Sequence, residues 1–145
     1  MSHELVVDAS VAIKLFVDEE LSDRAIALFG LLSGDEPPRF HVPDLFFIEC
    51  ANILWKYVRR LGLQQEAALH AISNLVKLPL HPVATTALLP DALALAIEKE
   101  VTAYDAGYVS LASRLNAPMV TADGKLIRKL GDCGVDVRWL GDLSL

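Results

Sequence analysis

The sequence predicts an α/β fold, a three-layer α/β/α sandwich around a mainly parallel central sheet. Short apolar, β-branched runs alternate with longer segments whose apolar residues recur at helical spacing. Strands separated by helices cannot pair as hairpins, so they are expected to form a parallel sheet covered on both faces. The chain of 145 residues holds no repeat, low-complexity tract or linker, so one domain over 1–145 is expected.

The first strand is expected over 4–8, where ELVVD runs apolar and stops at an acid. A helical stretch starts at Ser10. A second helix over 21–32 sets Leu21, Ala25, Leu28, Phe29 and Leu32 on one face. SGDEPP is a loop by its turn residues. A strand over 40–43 leads into a long helix from Asp44 to 60, stopped by Gly62, and a helix over 64–77 ends at Pro79. The strand over 80–84 is weakened by Pro82, which has no N–H for a ladder. Thr85 or Thr86 is expected to cap a helix carrying Leu89, Leu93, Ala96 and Ile97 on one stripe. Helix 105–115, strand 118–121, short helix 125–130 and strand 135–140 complete the chain.

Hydrophobic residues make up 53% of the chain and its mean hydropathy is +0.38, so it should fold. No stretch approaches the roughly 20 uncharged apolar residues of a membrane span. The short apolar run near the start has no basic flank and no small-residue cleavage site after it, so no signal peptide and a cytoplasmic location are expected. Cys50 and Cys133 read as reduced thiols, and without a CxxC pair structural zinc is not expected. Thirteen basic against nineteen acidic residues leave a formal charge of −6. That balance opposes simple electrostatic binding of nucleic acid. Carboxylates that hold a divalent cation invert the local field and lift the objection.

Four acids draw attention by where they fall. Asp8 ends the first strand and Asp123 follows the strand PMVT, so both reach one sheet edge if those strands are neighbours. Asp105 opens a helix, where, taken alone, a plain N-cap explains it better than a site does. Glu49 lies among Phe46, Phe47, Ile48 and Cys50 within a long helix, and shares its face with Leu45, Asn52, Ile53 and Lys56. Clustered carboxylates raise one another's pKa, a penalty that a divalent cation removes. Mg²⁺ and Mn²⁺ both take such oxygen ligands, and a metal so held suits phosphodiester hydrolysis.

The stretches VVDASVAIKLF, DLFFIECANIL, VTAYDAGYVSLA and VTADGKLIRKL, in this order and spacing, resemble the PIN-domain nucleases. Length and layout are similar to the VapC-type ribonuclease toxins of toxin–antitoxin modules, and the resemblance covers nearly the whole chain. It implies that Asp8, Glu49, Asp105 and Asp123 form an acidic pocket for Mg²⁺ or Mn²⁺. It places Ser10 and Thr121 as hydroxyls bracing those carboxylates. The implied partners are an RNA substrate, an antitoxin protein and a second copy of the chain.

Competing readings lack their residues. A response-regulator receiver wants an adjacent acidic pair after its first strand, and a haloacid-dehalogenase-type phosphatase wants DxD; here the site is Asp8-Ala9-Ser10. No GxSxG, HExxH, P-loop or GxGxxG occurs. A protein-binding module with purely structural acids stays open, since the helices over 44–60 and 64–77 could present an apolar groove. Asn52 and Lys56 read as solvated helix surface or RNA contacts. Lys14, Arg59, Arg60, Lys125, Arg128 and Lys129 read as surface charge near the site. Trp55 and Tyr57 could stack a base, with a core or dimer contact the expected use of Trp55.

Overall fold

The computed structural model describes residues 3–145. Five strands, β1 (Glu4–Val7), β2 (Arg39–Pro43), β3 (His81–Val83), β4 (Met119–Thr121) and β5 (Val137–Trp139), form one sheet in the order β3-β2-β1-β4-β5. Every pairing is parallel. The helices are α1 (Ala9–Ala12), α2 (Ser22–Gly30), α3 (Leu45–Arg60), α4 (Gln65–Leu75), α5 (Leu89–Lys99), α6 (Ala103–Leu115) and α7 (Gly124–Leu130). Helices cover both faces of the sheet, giving the expected three layers. No helix among the described residues is long and apolar enough to cross a membrane.

Burial follows from position in the sheet. β1 is central, so Leu5, Val6 and Val7 are fully shielded on both faces, as are Phe40, Val42, Met119 and Val120 beside it. Phe29 of α2 meets Phe40 edge-on at 5.2 Å between ring centroids, which docks α2 on the face shared by Leu5 and Phe40. Helix α6 lies across β1, β2 and β4 with α5 packed along it. It is buried continuously from Ala106 to Ala112, so its small residues Ala106 and Gly107 face protein rather than water. Burying each large aliphatic side chain stabilises the fold by roughly 1.5–3 kcal/mol. Pro82 is accommodated because β3 is an edge strand.

Several boundaries differ from the sequence expectation for local reasons. The first helical stretch is a single α turn followed by a 3₁₀ turn, Ile13–Leu15. Thr85 does not cap α5. Its hydroxyl accepts from the Leu45 N–H at 3.2 Å and donates to Asp44, tying the end of β3 to the start of α3. The α5 helix begins at Leu89, with Pro90 in its first turn, where a missing N–H costs nothing. Helix α6 begins at Ala103 because the Thr102 hydroxyl accepts from the Asp105 N–H at 3.1 Å. Thr102 is therefore the cap, and the capping explanation of Asp105 falls.

This strand order has its topological switch point beside β1. The chain runs outward through β2 and β3, then returns to the other side of β1 for β4 and β5. Ligands of open α/β sheets bind in the crevice beyond the strands' C-terminal ends at such a point. Asp8, Thr121 and Asp123 stand there.

Candidate metal centre

Asp8 is fixed from several sides. Its backbone is extended (φ −75°, ψ 151°), and its N–H donates to the Val120 carbonyl at 3.0 Å, continuing the β1–β4 ladder. Its side chain is buried, with the residue only 4% exposed. The Ser10 and Thr121 hydroxyls each donate to its Oδ2 at 2.8 Å. Those hydroxyls lie 3.3 Å apart and are themselves held: Ser10 Oγ accepts from the Ala122 N–H at 3.0 Å, and Thr121 Oγ1 from the Asp123 N–H at 3.1 Å. Two residues expected to brace the carboxylates thus hold one of them, both from the same oxygen. Burial raises the Asp8 carboxyl above its ordinary range, against the lowering effect of these bonds.

Glu49 sits one turn into α3 and reaches the same point from the other side of the crevice. The Tyr108 hydroxyl donates to its Oε1 at 2.9 Å. Burial first, then the charges of Asp8 and Asp105, push Glu49 up to about 7, opposed by the tyrosine bond. Asp105, in the first turn of α6, is pushed up to about 6 by burial and by Asp8, with the Thr102 hydroxyl and then the nearby Lys129 opposing. Ligand oxygens of Asp8, Glu49 and Asp105 all lie within 4.8 Å of one another. Three hard anionic donors, with no nitrogen or sulfur among them, fit Mg²⁺ or Mn²⁺. Burial first, and the neighbouring negative charges after it, raise the proton affinity of all three.

Asp123 is placed differently from the other three. It is exposed, and its Oδ1 accepts from the Lys125 and Leu126 N–H groups at 3.0 and 3.2 Å, capping α7. Its charge is still felt at Asp8 and Asp105. The structure therefore brings three of the four expected acids together and sets the fourth at the rim as a helix cap. Asn52 and Lys56 are exposed on α3, and Trp55 is 54% exposed beneath the Arg59 guanidinium, 5.2 Å from its ring, rather than in the core. Cys50 and Cys133 are unpaired thiols, as expected.

Tyr108 went unread in the sequence, although its spacing was a usable signal. It lies three residues after Asp105 in AYDAGYVSLA, hence on a neighbouring face of α6. The side chain is fully buried, and burial pushes its hydroxyl well above the usual phenol range, so it stays a proton donor to Glu49.

Comparison with known proteins agrees with this geometry. The PIN domain profile matches residues 5–131. Ribonuclease VapC3 of Pyrobaculum aerophilum is 37% identical over 130 residues, spanning 87% of this chain and 94% of that protein. Among solved structures, PAE2754 of Pyrobaculum aerophilum superposes with a TM-score of 0.66 at 25% identity, covering 94% of this chain and 92% of its own. VapC20 of Mycobacterium tuberculosis, described as a sarcin-ricin loop cleaving toxin, gives a TM-score of 0.66 at 18% identity, over 86% and 93%. VapBC2 of Rickettsia felis, bound to a DNA fragment from its promoter, gives 0.64 at 12% identity, over 94% and 98%; these last two likenesses speak for the fold alone. With the profile spanning most of the sheet and all four expected acids, the chain belongs to the PIN domain family.

Proposed function

We propose that this chain is a Mg²⁺- or Mn²⁺-dependent endoribonuclease, the toxin of a cytoplasmic toxin–antitoxin pair. The observation that carries the reading is the convergence of Asp8, Glu49 and Asp105 within 4.8 Å at the switch point of a PIN fold. Similarity to a VapC ribonuclease over nearly the whole chain supports RNA as substrate.

Asp8, Glu49 and Asp105 would hold the ion, with Asp123 adding charge from the rim. When bound, the ion supplies Lewis acidity toward a phosphate oxygen and lowers the pKa of water it holds. The protein's own residues do the rest. Ser10 and Thr121 fix the Asp8 rotamer through Oδ2 and leave Oδ1 clear of their bonds. Tyr108 fixes Glu49 while keeping its proton, so it orients that carboxylate without competing for the cation. At neutral pH Glu49, at about 7, is part-protonated in the metal-free protein and yields its proton as the cation binds.

Partners have surfaces to meet. A cleft of about 320 Å³ between α3 and α4, lined by Leu54, Trp55, Val58, Ala68, Leu69 and Ile72, suits an apolar segment of an antitoxin. Leu89, Leu93 and Ile97 form a stripe along α5 at 49%, 58% and 72% exposure, which suits pairing with a second copy.

Purified protein incubated with total RNA should cut it only with Mg²⁺ or Mn²⁺ present. EDTA should stop the reaction and excess Mn²⁺ restore it. Cleavage by wild type that persists in excess EDTA, and that an identically purified Asp8→Asn preparation lacks so that contaminating ribonuclease is excluded, would refute the reading.

A further inference from the structure

Beside the acids lies a second concavity that the metal chemistry does not use. It has a volume of about 360 Å³, and its walls include Lys14, Glu20, Ala122, Gly124, Arg128 and Trp139. That volume falls within the range of small-ligand sites. Ala122, one of its walls, stands between Thr121, which holds Asp8, and Asp123, which caps α7.

Sheet register explains why an aromatic ring faces this place. Thr121 pairs with Trp139 across β4 and β5, and Val7 pairs with Val120 one residue earlier across β1 and β4. Neighbouring strands lie about 4.8 Å apart, so Trp139 roots about two strand spacings, near 10 Å, from Asp8 along one row at the C-terminal edge. The indole is fixed there. A Cβ on Gly141 would lie 2.4–2.7 Å from three carbons of its six-membered ring, so only glycine leaves the ring its seat. The turn Leu140–Asp142 that supplies this seat is itself tied down by Arg24, whose Nε donates to the Leu140 carbonyl at 2.9 Å and whose Nη2 bonds the Leu143 carbonyl.

Cations occupy the same cavity although the chain as a whole is acidic. The Arg128 guanidinium folds back toward the start of α7, its Nη1 3.5 Å from where a Gly124 Cβ would be. Among the described residues Arg128 takes no carboxylate partner. Lys14 is half-buried and held by Glu19 at 3.3 Å, and Glu19 in turn accepts from the Tyr57 hydroxyl at 2.9 Å. A rigid aromatic surface with an adjoining guanidinium is what an unpaired base and its phosphate require, and stacking accepts any base.

We propose that this cavity is a nucleobase pocket. It seats the base of the nucleotide next to the scissile phosphate against Trp139, with Arg128 on that nucleotide's phosphate. The proposal rests on the ribonuclease reading for the substrate class but not for its test. Trp139 is a positioning residue in this account: it holds substrate and takes no part in bond breaking.

The chain has two tryptophans, so Trp55→Phe leaves Trp139 as the only one. Fluorescence of that variant is titrated with nucleoside 5′-monophosphates, in Mg²⁺, because they contain no phosphodiester to cleave. Ribose 5-phosphate is the control for binding through phosphate alone. Saturable quenching by the nucleotides, absent with ribose 5-phosphate and at least several-fold weaker in Arg128→Ala, is the expected result. No quenching, or an equal response to ribose 5-phosphate, would overturn the pocket. In RNA cleavage, Trp139→Leu should raise KM by about 5- to 150-fold with kcat little changed, the range that loss of one stacked base implies. Trp139→Phe retains a stacking ring and should recover most of that loss, which separates stacking from damage to the fold. Quenching without cleavage by wild type would sink the ribonuclease reading and leave the pocket standing. Cleavage with unchanged KM in folded Trp139→Leu would do the reverse.

Discussion

Replacing Glu49 by glutamine should stabilise the metal-free protein, although it alters the heart of the site. The amide keeps the size of the side chain and an oxygen for the Tyr108 hydroxyl, which now donates to Oε1 at 2.9 Å. It removes a charge that burial and Asp8 oppose, shown by a carboxyl at about 7 against its ordinary 4.5. A folded-state pKa above the unfolded value means stability that is fully present below pH 4.5 and lost as pH rises through 7. Asp105, raised from 3.8 to about 6, acts in the same direction, as does Asp8. Wild type in EDTA should therefore lose stability steadily between pH 5 and 8. The Glu49 displacement corresponds to at most about 3 kcal/mol, at 1.36 kcal/mol per unit. Solvent reaches part of this side chain, so about 1–2 kcal/mol is the working expectation at pH 8. For a chain of this size that is roughly 3–6 °C in Tm. Thermal melts of wild type and Glu49→Gln in EDTA across this pH range measure it directly. Saturating Mn²⁺ should reverse the ranking, because a bound ligand stabilises the form that binds it more tightly. A Glu49→Gln variant that is less stable than wild type at pH 8 in EDTA, or that shows the same pH slope, would refute the reasoning.

Other substitutions separate charge from architecture. Thr121→Val removes one of the two hydroxyls on Asp8 and the acceptor of the Asp123 N–H, so metal affinity should fall by about 10- to 100-fold in calorimetry. Asp123→Asn keeps the α7 cap and should melt near wild type, whereas Asp123→Ala should lose about 1 kcal/mol in urea unfolding; cleavage lost in both would assign the role to the charge. Asp105→Asn leaves the Thr102 cap intact, so its Tm in EDTA should be equal to or above wild type while Mn²⁺ binding collapses. Gly141→Ala drives a methyl into the Trp139 ring and should cost about 1–3 kcal/mol of stability by urea unfolding.

The central strands were legible because β1 and its neighbours are shielded on both faces and so read as unbroken apolar runs. Asp8 was legible for the same reason: an acid at the end of such a run has to emerge at the sheet edge. Short-range competition hid the rest. Both Thr85 and Asp44 could cap a helix, and only the contact between β3 and α3 makes them bond each other. Asp105 and Asp123 look alike in sequence, each opening a helix, yet Thr102 frees the first from capping and nothing frees the second. Tyr108 went unread because a buried tyrosine shows its function only through the partner of its hydroxyl. Trp139 was similarly silent, since the ring's setting depends on register with Thr121 and on a glycine two residues later.

Binding of Mn²⁺ to wild type and Asp8→Asn, followed by calorimetry, tests the central claim most directly, because it depends on no knowledge of the RNA that is cut. Asp8 lies among the three converging carboxylates and receives both hydroxyl braces. Wild type should bind the ion with release of protons near pH 7, as Glu49 gives up its share, and Asp8→Asn should show no measurable binding at the same concentrations while melting as a folded protein. Equal Mn²⁺ affinity in folded Asp8→Asn would contradict a metal centre built on these acids.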